Sequence, residues 1–132
     1  MSRPTSRVAW TTAAAAGLIT LVAIVPRVVS STWEEVREIR LVARDMTYYV
    51  EGQEDPNPTL RVFRGERVRI RLINRDPGMT HDFAVPAWNA GTGPATNHGE
   101  AVVELTAPAE SGDASYACTP HGEMMRGTIR VE

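Results

Sequence analysis

Near the end of the chain, the run Cys118-Thr119-Pro120-His121-Gly122-Glu123-Met124-Met125-Arg126-Gly127 gathers a thiol, an imidazole and two thioethers into a short stretch. Cys118 and His121 are separated by only two residues, and three residues of chain reach at most about 10 Å, so both can grip one ion from a single tight loop. Pro120 restricts that loop, and Gly122 is expected to let it turn again before the methionines bring sulfur back toward the same point. The loop demands a partner, and His81 supplies one from far upstream in Met79-Thr80-His81-Asp82-Phe83. A thiolate, two imidazoles and a thioether form a soft donor set, suited to one copper ion that cycles between Cu(II) and Cu(I). Whatever fold the chain adopts must bring residue 81 to residue 118.

The rest of the composition narrows the class. A length of 132 residues allows one compact domain plus an appendage, and a formal charge of -2 with a pI near 5.9 argues against nucleic acid as a partner. The single cysteine excludes an internal disulfide, and it excludes a binuclear copper centre bridged by two thiolates. No second cluster of histidines stands ready for a catalytic copper or a small-molecule substrate, so the chain does not read as an enzyme. His98, in the loop that follows Pro86, reads as a surface histidine with no metal role.

From Val8 to Val25 there is no charged residue, and Arg3 and Arg7 precede the run. As a helix these residues would reach about 27 Å, close to the hydrocarbon thickness of a bilayer. Residues 1–29 are therefore expected to form a transmembrane anchor, with the basic amino terminus in the cytoplasm and the following domain exported. The alternative is a cleavable signal peptide, with Leu18 to Val25 as its apolar core and Val28-Val29-Ser30 as its cleavage site, although Arg27 sits awkwardly inside that site. Residues 30–37 read as a stalk, in which Ser31-Thr32-Trp33-Glu34-Glu35-Val36-Arg37 has the pattern of a capping box. Trp33 suits either the headgroup level or plain packing.

From residue 38 onward the segments are short, β-rich and divided by turn signals, as in a sandwich. Strands are expected at 39–43, 46–50, 59–63, 67–73, 81–85, 101–105, 115–118 and 128–131. Alternation is clearest in Arg67-Val68-Arg69-Ile70-Arg71-Leu72-Ile73, where Val68, Ile70 and Leu72 face the core and three arginines face water. That charged row is either a solvated sheet face or a docking site for an acidic redox partner. Asn74-Arg75-Asp76-Pro77-Gly78 reads as a turn that delivers the chain to His81.

Tyr116-Ala117-Cys118-Thr119-Pro120-His121, followed by Met125-Arg126-Gly127, resembles the copper loop of the cupredoxins, the type 1 blue-copper proteins, in its amicyanin and plastocyanin form. The resemblance covers residues 38–132 and implies an all-β, Greek-key β-sandwich. It assigns a single type 1 copper to His81, Cys118, His121 and a weak axial methionine. Met125 fits the pattern of Met, any residue, Gly, and Met124 is the alternative axial sulfur. Two departures stand out: three residues separate His121 from Met125, and Asp82 occupies the place where those relatives commonly carry Asn. An acidic group there could still bond the copper loop, and its charge would favour the oxidised ion.

By resemblance, the ring edge of His121 is the exit for the electron, and Pro120, Gly122 and Met124 form part of an apolar docking patch. Together with the apolar amino terminus, this implies a single-pass protein of the cytoplasmic membrane whose copper domain lies on the periplasmic side. It would transfer single electrons between a redox donor and a redox acceptor. The alternatives are a copper-delivery or storage protein and a fixed accessory subunit of a larger membrane oxidoreductase.

Overall fold

The computed structural model describes residues 36–132. The expected anchor, the capping-box motif up to Glu35 and Trp33 lie outside the described residues. The strands are β1 (Arg37–Arg44), β2 (Thr47–Val50), β3 (Leu60–Val62), β4 (Arg67–Asn74), β5 (Thr80–His81), β6 (Ala84–Val85), β7 (Ala90–Gly91), β8 (Ala95–Thr96), β9 (Glu100–Thr106), β10 (Gly112–Ala117) and β11 (Arg126–Val131), with a 3₁₀ turn at Pro86–Trp88. Among the described residues no helix is long and apolar enough to cross a membrane.

One sheet has the order β2-β1-β4-β9 and the other β3-β11-β10-β6-β7, while β5 and β8 form a separate pair. Period-two patterning explains why the two sheets face each other. In β4, Val68, Ile70 and Leu72 are fully buried, and in β11 Ile129 and Val131 turn inward against them as part of one continuous apolar cluster. Tyr48, Phe83 and Tyr116 fill the interior with edge-on and tilted ring contacts at centroid separations of 6.4, 5.6 and 5.1 Å.

The outer face of the first sheet is an ion-pair ladder. Arg67 and Arg69 share Glu104, which lies directly across from Arg69 in the β4–β9 register, and Arg71 reaches both Glu38 and Glu100. Each arginine of the expected basic row thus has its carboxylate within the sheet. This pairing is what a solvated sheet face calls for, with Arg67 and Arg69 sharing one carboxylate. Such exposed pairs contribute little singly and serve mainly to fix cross-strand register.

Several boundaries differ from those read in the sequence, and three of the differences bear on the site. Met46 leaves the expected strand at 46–50 and sits with Asp45 in the β1–β2 turn, both at positive φ (58° and 53°). The expected strand at 81–85 is broken at Asp82-Phe83, because its first half pairs with β8 and its second with β10 and β7. The irregular loop after Pro86 supplies those partners, β7 and β8. Changing partner mid-strand is what turns His81 inward while Ala84 joins the second sheet.

The two ends of the sandwich are distinct. β1 and β4 run parallel from Arg37↔Val68 to Ala43↔Asn74, and the chain beyond Asn74 leads to His81. β1 therefore begins at the end of the strand pair away from Asn74, six residue steps or about 20 Å along it.

Packing across β10 and β11 makes a prediction. A Cβ on Gly127 would collide with the ring of Tyr116, which is fully buried and tied by its hydroxyl to the Pro58 carbonyl at 2.6 Å. Gly127→Ala should lower stability by about 1–3 kcal/mol, as overpacking does, read as a fall in the urea midpoint. A second concerns acid. Hydrogen bonds from Arg37, Arg71, Arg69 and Arg130 hold the carboxylates of Glu66, Glu38, Glu104 and Asp113 below their ordinary range. A depressed carboxylate stabilises the fold above its unfolded pKa and stops doing so as pH falls through the folded value. The urea midpoint should thus drop between roughly pH 5 and roughly pH 2, and a midpoint that stays level would contradict the ladder.

Candidate metal centre

β10 stops pairing at Ala117, and the next residue turns its side chain into the core. The Cys118 N–H donates to the Met125 carbonyl at 2.9 Å, which closes the loop at its base. Within it, the His121 N–H returns to the Cys118 carbonyl at 3.2 Å, and the N–H groups of Met124 and Met125 both bond the His121 carbonyl, at 3.0 and 2.9 Å. These successive turns place His121 beside Cys118. Gly122 is not among the residues of positive φ, and a Cβ there would lie 3.4 Å from the Cys118 carbonyl. The expected need for glycine at this turn is therefore absent; the turn is made by hydrogen bonds instead.

Three donors converge. Cys118 Sγ lies 3.8 Å from His81 Nδ1 and 3.6 Å from His121 Nδ1, and all three atoms lie within 4.8 Å of one another. Two donors held about 2.0 and 2.3 Å from one ion, at an angle of about 110–125°, are themselves about 3.5–3.8 Å apart, so the spacing of the sulfur from each imidazole nitrogen fits a single bound metal. The donor chemistry of one thiolate and two imidazoles selects a soft or borderline ion such as copper. His81 and Cys118 are fully buried and His121 is half-buried. Met125 is fully buried at the closing residue of the loop, while Met124 is 55% exposed. His98 is exposed and stands outside the cluster.

The residues around the donors fix them. Asp82 Oδ1 accepts the Thr119 N–H at 2.6 Å, so the acidic residue after His81 does bond the metal loop. The Asp82 carbonyl in turn accepts the hydroxyl of Tyr48, whose pKa is pushed up by burial. Asn57 Nδ2 donates to the Met124 carbonyl at 2.9 Å from the loop between β2 and β3. On the other side, Asp76 Oδ2 lies 2.8 Å from His81 Nε2. Asn74 and Asp76 were legible in the sequence only as turn formers, and Tyr48 only as a strand residue. An Asn two residues before an Asp is a recognisable side-chain turn, and here Asn74 Oδ1 accepts the Asp76 N–H at 2.8 Å, but nothing in that pattern points to a metal.

Burial pushes the Cys118 thiol up, so the metal-free protein holds it protonated near neutrality. Binding must release that proton. The affinity of the full chain for Co(II), measured by competition with a chromophoric chelator, should therefore fall as pH is lowered through neutrality, by about tenfold per pH unit for the one thiol proton released, and Cys118→Ser should make that dependence shallower and remove most of the affinity. Affinity that does not change with pH would mean that the thiolate is not a ligand.

No protein-family model matches the chain, and no curated protein sequence matches it. Solved structures do. Auracyanin A, a blue copper protein from the green thermophilic photosynthetic bacterium Chloroflexus aurantiacus, superposes with a TM-score of 0.57 at 20% identity, over 72% of this chain and 98% of that one. An oxidised amicyanin variant gives a TM-score of 0.50 at 25% identity, over 72% and 82%. A chain of a heme-copper terminal oxidase dimer gives 0.56 at 16% identity, over 76% and 68%. The fold is that of the cupredoxins, and at one pole of it His81, Cys118 and His121 bring together three donors placed to hold a single metal ion, of a chemistry that suits copper.

Proposed function

We propose that the chain is a type 1 copper protein that carries single electrons between redox proteins, tethered by its apolar amino-terminal segment to the outer face of a cytoplasmic membrane. The observation that carries this reading is the meeting of His81 Nδ1, Cys118 Sγ and His121 Nδ1 within 4.8 Å, two of the three residues being buried. The likeness in fold to auracyanin A, itself a blue copper protein, supports it. A copper ion held by these donors supplies reversible one-electron chemistry.

The residues divide the remaining work. His81 and Cys118, fully buried, exclude water and hold their positions through the packed sandwich. Met125, also fully buried and bonded through its carbonyl to Cys118, would supply a thioether to a bound copper. His121 is the one donor of the three that reaches the surface, and the exposed Met124 beside it, with the exposed Pro120, offers an apolar contact for a partner. The uncharged run from Val8 to Val25 supports a membrane tether.

The likeness to a heme-copper oxidase chain favours a second reading, a fixed subunit of a larger membrane oxidoreductase. With one cysteine the chain could not hold a thiolate-bridged binuclear centre in such an assembly. Co-purification in mild detergent with stoichiometric partner subunits would support that reading, and isolation as a lone chain would support the mobile carrier. A delivery protein would instead hand Cu(I) readily to an acceptor.

The experiment is a visible spectrum of the copper-loaded full chain with redox titration. An intense thiolate-to-copper band that bleaches and returns with one electron is expected; a colourless complex would refute the reading. Met125→Leu should shift that band or the potential, whereas Met124→Ala should leave both unchanged and slow electron exchange with a partner. The reverse pattern would make Met124 the axial ligand.

A further inference from the structure

Buried polar side chains are few among the described residues, and three of them form one chain: Asn74, Asp76 and His81. Asn74, 1% exposed, donates from Nδ2 to the carbonyls of Met79 and Ala95, both at 2.8 Å, and accepts the Asp76 N–H on Oδ1. Asp76 is therefore held before it meets its partners. Its Oδ1 accepts the Asp45 N–H at 2.6 Å, and its Oδ2 accepts the Met46 N–H at 3.1 Å and faces His81 Nε2 at 2.8 Å. Asp45 and Met46 are the two positive-φ residues of the β1–β2 turn, a conformation that costs a non-glycine residue about 1 kcal/mol or more. Their N–H groups converge on one carboxylate, which offsets that cost and fastens the turn to the metal pole.

The same carboxylate decides the state of His81. A neutral imidazole carries one proton, and a carboxylate 2.8 Å from Nε2 accepts a proton from that nitrogen. Nδ1, 3.8 Å from Cys118 Sγ, is then left with its lone pair toward the donor cluster. A carboxylate so placed also adds negative charge one ring away from a bound ion. It raises the basicity of the ligand and favours the more highly charged ion.

We infer that Asp76 is a positioning residue of the metal centre: it fixes His81 as the Nε2–H tautomer that presents Nδ1, and it lowers the reduction potential of a copper ion bound there. The tautomer half rests only on the geometry above, while the potential half rests on the copper reading of the site. Asp82, by contrast, turns its carboxylate to the Thr119 N–H and so shapes the loop rather than the ring of His81.

The test uses the full chain in mild detergent. In the metal-free protein, nitrogen-15 chemical shifts of the His81 ring should show a single Nε2–H tautomer; an Nδ1–H ring would overturn the inference without any variant. Asp76→Asn keeps the shape and one acceptor oxygen but removes the charge. It should reduce Co(II) affinity by about 10–100-fold and raise the reduction potential of the copper form. Asp76→Ala should, in addition, release the tautomer to a mixture. If Asp76→Asn folds with wild-type Co(II) affinity and wild-type potential, Asp76 only fastens the β1–β2 turn and the inference fails. If the wild-type chain takes up Co(II) yet forms no coloured copper complex, the copper reading fails together with the potential half, while the tautomer spectrum still decides the rest.

Discussion

The hydrogen bond from the Cys118 N–H to the Met125 carbonyl is the constraint on which the site depends, because it continues the β10–β11 ladder one step past Ala117↔Arg126. Cys118 and Met125 thereby inherit the rigidity of the sheet, and both side chains turn into the core rather than fray with the loop. The residues between them then close a circuit whose own turns seat His121. A ligand set built this way needs little rearrangement when a bound ion changes charge, since movement of any donor would break ladder or turn hydrogen bonds that are otherwise satisfied.

Bringing His81 to this hairpin means burying polar groups, which costs several kcal/mol for each one left unpaired. Among the described residues, no buried side-chain nitrogen or oxygen lacks a partner. The solution is cooperative: Asn74 holds the β4–β5 connection and the β8 carbonyl, Asp76 holds the β1–β2 turn, and His81 hangs from Asp76. Each group is fixed by one element and fixes another. The first sheet is thus coupled to a donor whose partner atom, Cys118 Sγ, belongs to the second.

The donors were legible because chemistry fixes their type and a short spacing fixes two of them. Cys118 and His121 lie on one turn, and the alternation of Val68, Ile70 and Leu72 displayed the core face of β4 directly. What the sequence could not display depends on contacts between distant segments. Asp76 reads as a turn former because Asp-Pro-Gly is a turn; its burial against His81 exists only once β1, β4 and β8 have met. Met46 reads as a strand residue by type, yet the carboxylate of Asp76 holds it in the left-handed region. Gly122 and Gly127 show the converse. By residue type Gly122 suits a loop that must turn sharply, but its backbone is one that other residues adopt, whereas Gly127, which reads as part of a motif, makes room for the ring of Tyr116.

Charge and exposure separate the surfaces. The four-stranded sheet pairs the arginines of β4 with glutamates of the same sheet and those of β1 with glutamates of the neighbouring turns, and Arg37–Glu66 and Arg71–Glu38 are two-point forks that only arginine can make. Long-range attraction from that face is correspondingly small. Exposed large apolar side chains among the described residues are Phe63, Val102 and Met124, and of these only Met124 lies in the loop that carries His121. The half-buried donor and its exposed apolar neighbour therefore share one pole, and the start of β1 lies at the other. An apolar contact surface thus lies beside the one donor of the three that is not fully buried, and a single loop carries both.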